Sequence, residues 1–213
     1  MGISIITNFG CGYDCPYCIW KGHPLEHRHD ETDWEKLESF LRKGREMGFD
    51  HVSVSGGGDP LYRFGKHASW WLELHRICRE AHLYIDVHTH MRPMPDDLSW
   101  GFLHTYVRRL VLSSETLGDV MPYADSDDCP TPNRRIVHVV TGKDGMDDLL
   151  AYAKATCGKM VGLSFKKLHG GQDGGLWEKA KADLSGWDIC FIHDRDYNEY
   201  FMPDNTVSMR FLP

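Results

Sequence analysis

Several large classes of protein need features that this chain lacks. No stretch approaches the roughly 18 to 20 consecutive apolar residues of a membrane span. The opening segment MGISIITNFG has neither a basic region nor an apolar run of the length a secretory signal needs. No Pro-, Gly- or Ser-rich linker divides the 213 residues, and no repeat returns at a fixed period. Positive charge is in deficit: 24 Lys and Arg stand against 31 Asp and Glu, a formal net charge of −7. A strong non-specific grip on a nucleic-acid backbone needs a basic surface, so that partner is disfavoured. A nucleotide, or a polymer held by a small basic patch, remains compatible. The cysteines do not pair off either. Cys11, Cys15, Cys18, Cys78, Cys129, Cys157 and Cys190 are odd in number, and four of them stand singly. A secreted disulfide framework would be evenly paired, so a reducing cytoplasm is expected. With 41% apolar residues the chain can bury one sizeable core, and a single domain over 1–213 is expected.

What is present is an alternation of short apolar runs with helical patterns. Strands are expected over 3–7, 51–55, 83–88, 109–113, 135–140 and 160–166. A seventh run at 188–193 precedes a hairpin of 199–202 with 207–212, turning at PDN. The clearest helix is 33–47, with Thr32 and Glu35 as a T-x-x-E capping box and Gly48 as its stop. Its apolar stripe is Trp34, Leu37, Phe40, Leu41 and Met47. Further helices are expected over 66–81, 144–157 and, more weakly, 176–184. This order calls for a mainly parallel α/β sheet. Six units fit, whereas eight usually need about 250 residues. The expected fold is an incomplete (β/α)6 TIM-type barrel, core about 1–168, with a C-terminal strand and hairpin extension over 169–213. A doubly wound open sheet is the alternative.

Strand periodicity says more about the inside. In 83–90, Leu83, Ile85 and Val87 alternate with Tyr84, Asp86, His88 and His90. Side chains alternate faces along a strand, so the apolar set should face the helices and the polar set the interior. Val161, Leu163 and Phe165 oppose Gly162, Ser164 and Lys166 in the same way, and Val52 and Val54 oppose His51, Ser53 and Ser55. A polar interior suits a polar ligand, and Tyr84, Asp86, His88, His90, His138, Lys166 and Arg195 are the substrate candidates. The H-x-H pair of His88 and His90 resembles metal pairs of barrel hydrolases, but substrate binding is the preferred reading. Arg108 and Arg109, with Arg134 and Arg135, are expected at the strand starts as solvated charge. Cys78, Cys129, Cys157 and Cys190 are expected to be structural.

The segment GCGYDCPYCIW sets Cys11, Cys15 and Cys18 close together. Structural zinc wants four protein ligands, usually from two paired motifs, and no second C-x-x-C exists here. His23, His27 or His29 could complete such a site, so zinc stays open. An iron–sulfur cube fits better: clusters are held by thiolates, and a missing fourth leaves one iron for chemistry. The loop follows the first strand, where parallel α/β folds place their sites.

CGYDCPYC resembles the C-x-x-x-C-x-x-C cluster motif of the radical S-adenosylmethionine (SAM) enzymes, Tyr17 included. The end of the second strand, HVSVSGGGDPL, resembles their GGEP motif, with Gly56 and Gly57 matching. Gly58 intervenes before Asp59, whose side chain is one methylene shorter than Glu. The resemblance implies a partial TIM barrel, a [4Fe–4S] cluster and SAM bound through the iron that has no cysteine. One electron then cleaves SAM, and a 5′-deoxyadenosyl radical abstracts hydrogen from substrate. It further implies SAM contacts at Gly56, Gly57, Gly58 and Asp59 for the ammonium group. Ser113, Ser114 and Glu115 would serve the ribose and carboxylate, and Val139 (or Val140) and Ser164 the adenine. An external flavodoxin- or ferredoxin-like electron donor is implied as a partner. The absence of a second cysteine cluster argues against the peptide-maturing branch. The short chain looks like 7-carboxy-7-deazaguanine synthase-like enzymes or the activases of glycyl-radical enzymes. A small polar or nucleotide-like substrate is preferred, nucleotide modification included. An activase acting on a protein is the alternative, and a non-catalytic zinc module the alternative of a different class.

Overall fold

The computed structural model describes residues 2–15, 18, 29–90, 97–124, 133–159, 161–167, 173–192 and 198–209. In chain order the elements are β1 (Gly2–Ile6), α1 (Trp34–Glu46), β2 (His51–Ser55), α2 (Ala68–Glu80), β3 (Tyr84–Thr89), α3 (Asp97–Tyr106) and β4 (Val107–Ser114). They continue as α4 (Leu117–Ala124), β5 (Arg134–Val140), α5 (Met146–Thr156), β6 (Val161–Lys167), α6 (Leu176–Asp183), β7 (Ile189–Ile192), β8 (Asn198–Phe201) and β9 (Val207–Ser208). Two compact units form: Met1–Leu110 with Tyr197–Pro213, and Val111–Asp196.

In the first unit β3, β2, β1 and β8 lie side by side and parallel, and β9 closes back antiparallel on β8. The β8–β9 turn runs through Pro203, Asp204 and Asn205, where the sequence expects it; Met202 N–H donates to Thr206 O and Asn205 takes φ 61°. The register stacks Ile3, Val52 and Ile85 in one row and Ser4, Ser53 and Asp86 in the next. Period-two alternation therefore separates the rows as the sequence demands, and Ile3, Ile5, Val52, Val54, Ile85 and Val87 are all buried. Helix α1 buries Leu37, Phe40, Leu41 and Gly44. An added Cβ at Gly44 would sit 2.6 Å from Ile3 Cδ1, so the helix lies directly on β1. Helix α2 buries Trp70, Trp71, Leu74, Ile77 and Cys78.

The polar row is not loose solvent-facing charge. Asp86 is buried and accepts from Arg108 Nε at 3.1 Å and Nη2 at 3.0 Å, while Arg109 approaches to 3.7 Å. Arg108 also reaches Asp50 at 3.3 Å and lies over the Tyr84 ring at 5.6 Å. The expectation that Arg108 and Arg109 are solvated charge is thus corrected: two partly buried guanidinium groups neutralise one buried carboxylate. Three further details differ from the sequence reading. Asp33, not Thr32, caps α1, its carboxylate accepting from Lys36 N–H at 3.1 Å. Thr32 instead donates to His29 O and accepts from Trp70 Nε1. Met47 is half exposed at the C-cap rather than part of the stripe. Helices α3 and α4 carry Gly101 and Gly118 with Pro122 inside α4, weak helix formers whose pattern hid both elements.

In the second unit β5, β6 and β7 are parallel, with Ile136, Leu163 and Ile189 in register. Helix α5 buries Leu149, Tyr152, Ala153 and Thr156. His138, Tyr152, Phe165, Phe191 and Trp177 form a continuous ring cluster, each neighbouring pair within 6.3 Å. Arg135 donates to the fully buried Ser164 Oγ at 2.8 Å, so this arginine too is engaged rather than solvated.

Candidate active site in the first unit

Parallel strands deliver their carboxyl ends to one edge of a sheet, and here that edge gathers the motifs. Beyond β1 the chain is pinned by Phe9, whose buried ring stacks on Trp71 at 5.6 Å and 8° and touches His29, His67 and Trp70. Gly10 follows at φ 80°, its N–H bonded to Asn8 Oδ1. Gly10 and Gly12 flank Cys11 because the loop lies on the Tyr62 ring; a Cβ on either would meet that ring at 3.3 Å. Cys11 is exposed, Cys15 is buried at 8% exposure and Cys18 is half-buried. Cys18 N–H donates to Cys15 O at 3.1 Å, curling the loop back on itself. Although its surface is exposed, Cys11 is partly enclosed by neighbouring atoms, and this partial desolvation first, then the negative neighbours Asp59 and Cys18, push its thiol above the ordinary range. Cys15 Sγ lies 3.4 Å from His90 Nε2, just past the end of β3.

The second loop locks onto the first. Gly56, Gly57 and Gly58 take φ of 73°, 67° and 124°. Gly58 pairs with Gly10 in a parallel bridge, and Asp59 N–H donates to Gly10 O at 3.0 Å. Asp59 is 4% exposed. Its carboxylate accepts from Leu61 N–H at 2.9 Å, from Thr89 Oγ1 at 2.8 and 2.9 Å, and from His90 N–H at 2.8 Å. It therefore faces the end of β3. Burial pushes its pKa up against the opposing pull of the His90 and Leu61 N–H groups and the Thr89 hydroxyl.

Asp59→Ala strands those donors in a buried site, where each orphan costs about 1–3 kcal/mol, so a total loss of roughly 2–5 kcal/mol is expected. Asp59→Asn, which keeps an acceptor oxygen, should lose less. Urea midpoints of the apoprotein measure both, and a wild-type midpoint for Asp59→Ala would show that the network carries no stability. Because the folded pKa is raised, Asp59's titration contributes stability that is full below the ordinary carboxylate range and declines as pH rises through the folded value. Asp59→Asn should remove that decline.

The remaining sequence candidates fall as follows. Tyr84 is 59% exposed at the start of β3 and Asp86 is tied to Arg108, whereas His88 is half-buried farther along the strand. Ser113, Ser114 and Glu115 belong to the second unit: Ser113 is half-buried on β4, Ser114 is its last residue and Glu115 is exposed beyond it. In the second unit Val139 pairs with Lys166 in the ladder, Lys166 being exposed. His138 Nε2 bonds Asp144 Oδ1 at 3.0 Å, and Ser164 accepts from Arg135. Tyr17, Cys129 and Arg195 lie outside the described residues, as do His23 and His27. His29 is buried in the Phe9 cluster, Nε2 2.8 Å from His67 Nδ1. Thr89 and the Gly10 carbonyl escaped the sequence reading; the G-x-G around Cys11 was the one available signal. Among the described residues no three His, Cys, Asp or Glu side chains are gathered closely enough to hold a metal ion, and no helix is long and apolar enough to cross a membrane. The chemistry of the donor set suits an iron–sulfur cluster: Cys11, Cys15 and Cys18 bring three thiols from one short loop, and thiolates are what such clusters take as ligands.

No protein-family model and no curated protein matches the sequence. Solved structures do, and they define the fold as that of the radical SAM enzymes, an α/β incomplete TIM-type barrel with C-terminal hairpin strands. SuiB of Streptococcus suis bound to S-adenosylmethionine matches at TM-score 0.69 and 13% identity over 99% of this chain. The chain spans 60% of SuiB's length. A radical SAM methyltransferase from Sphaerobacter thermophilus matches at TM-score 0.63 and 15% identity, over 91% of this chain and 66% of the other. Native anSMEcpe with bound AdoMet and Kp18Cys peptide matches at TM-score 0.53 and 18% identity, over 78% and 51%.

Proposed function

We propose that this chain is a radical SAM enzyme that cleaves SAM reductively and abstracts hydrogen from a small polar or nucleotide-like substrate, with 1–213 acting as one catalytic unit. The observation that carries the reading is the meeting of Cys11, Cys15, the GGGDP loop and His90 at the ends of β1, β2 and β3, on a fold shared with SAM-bound enzymes. Cys11, Cys15 and Cys18 would each hold one iron of a [4Fe–4S] cluster. When bound, a reduced cluster supplies the single electron that SAM cleavage requires, drawn from a flavodoxin- or ferredoxin-like donor. The chain's own part is positional. The Gly56–Gly58 backbone would meet the ligand's ammonium group, and Asp59 anchors that loop to the end of β3. Fixing both reactants in one geometry is worth many powers of ten in rate.

A second reading is a peptide substrate, favoured by the structures of SuiB with its precursor peptide and of anSMEcpe with a peptide. The experiment is anaerobic reconstitution with iron and sulfide, then dithionite and SAM. Broad visible absorption bleached by dithionite, and release of 5′-deoxyadenosine and methionine, are expected. A colourless protein that takes up zinc stoichiometrically and leaves SAM intact would replace this reading with the zinc module. Deuterium transfer from labelled nucleotides or peptides into 5′-deoxyadenosine separates the two substrate classes.

A further inference from the structure

His90 stands outside the two motifs, yet it touches both. Its backbone N–H donates to Asp59 Oδ2 at 2.8 Å, its ring packs against Tyr13 with centroids 5.1 Å apart, and its Nε2 lies 3.4 Å from Cys15 Sγ. Asp59 in turn bonds the Gly10 carbonyl one residue before Cys11. The imidazole is thus held by its own backbone and by a tilted ring from the cysteine loop, with its edge on the most buried of the described loop thiols.

We propose that His90 is a positioning residue for the cluster's electron chemistry: its Nε2–H donates a hydrogen bond to the Cys15 thiolate and raises the cluster's reduction potential. The inference rests on Cys11, Cys15 and Cys18 holding a [4Fe–4S] cluster. A thiolate ligand carries no proton, so the hydrogen of the Sγ···Nε2 contact must come from the ring. Both the Nε2–H tautomer and the imidazolium supply it, and no titration is required. One-electron reduction adds negative charge to the cluster and its sulfurs. A donor aimed at one sulfur stabilises that charge more in the reduced than in the oxidised state, and hydrogen bonds to sulfur are a known control of cluster potential. Low solvent exposure at Cys15 enlarges the effect, because water competes less for the sulfur. The arrangement also ties electron entry to the SAM loop, since Asp59, which anchors GGGDP, fixes the His90 backbone.

The test uses the reconstituted full chain. His90→Phe keeps a ring for Tyr13 and removes the donor; His90→Gln returns an N–H close to the Nε2 position. Midpoint potentials are read by redox-poised EPR. His90→Phe is expected to shift the potential down, with iron content and SAM affinity at wild-type levels, and His90→Gln to restore part of the shift. In wild-type protein labelled with 15N-histidine, pulsed EPR of the reduced cluster should show a weak nitrogen coupling that His90→Phe loses. Equal potentials in wild type and His90→Phe overturn the proposal, and so does a strong coupling, which would make His90 an iron ligand. A wild-type chain that binds no cluster overturns the underlying reading instead. Where His90→Phe takes up no cluster, His90→Gln against His90→Leu carries the same comparison.

Discussion

Single replacement of Cys11, Cys15 or Cys18 by Ala is expected to reduce bound iron and sulfide to background after anaerobic reconstitution and to abolish SAM cleavage. Iron–sulfur clusters are held by thiolates, ordinarily four. A three-thiolate site has one open iron already, so a further loss leaves two adjacent corners to solvent. The three variants should differ in apoprotein stability, which separates ligation from folding. Cys11 is exposed, and its removal should leave the urea midpoint unchanged. Cys15 is buried, and its truncation should cost a modest packing loss. Cys78 supplies the control. It is fully buried in α2 with its thiol pushed up to about 12 by burial, so it is a poor source of thiolate. Cys78→Ala should keep full cluster content. Wild-type iron and sulfide in all three loop variants would remove the cluster assignment.

Gly58→Ala is expected to have the largest effect of any single methyl addition. At φ 124° a side chain is strained by about 1–3 kcal/mol from the backbone alone. Its Cβ would also stand 2.1 Å from the Gly10 carbonyl oxygen and 2.7 Å from the carbonyl carbon. Those atoms are backbone and cannot swing aside, so the Gly10–Gly58 bridge and the Asp59 N–H bond to Gly10 must open. On the proposed function, separating the cysteine loop from the GGGDP loop should weaken SAM binding by one to two powers of ten, or about 1.4–2.8 kcal/mol. Equilibrium dialysis on reconstituted protein measures it. Gly48→Ala is the comparison: φ is 93° there, but no atom lies within 4 Å of the added Cβ. If the two variants lose the same stability and the same SAM affinity, the close approach of the loops is not what Gly58 serves.

The position of the cysteine loop after β1, the glycine-rich GGGDP loop after β2, the PDN turn and the alternation along β3 were legible in the sequence. Each is encoded within a few residues, by thiol spacing, by positive-φ glycines or by period-two alternation, and short-range pattern needs no knowledge of the rest of the chain. Helices α3 and α4 were not legible, because Gly101, Gly118 and Pro122 spoil the local signal and tertiary packing overrides it. The partners of the polar groups were not legible either. Capping propensity fits both Thr32 and Asp33; Asn205, 172 residues away, accepts from Asp33 N–H, and Trp70 takes the Thr32 hydroxyl. Alternation places Asp86 on the polar face, but only the placement of β4 next to β3 brings Arg108 and Arg109 to it. Motif resemblance aims Asp59 at a ligand, and only the parallel placement of β2 beside β3 supplies the Thr89 and His90 donors that turn its carboxylate inward. The contact between Cys15 and His90 spans 75 residues of sequence. A hydrogen bond requires two atoms within about 3.5 Å, and at that separation along the chain it is strand order and register, not local spacing, that decide which atoms meet.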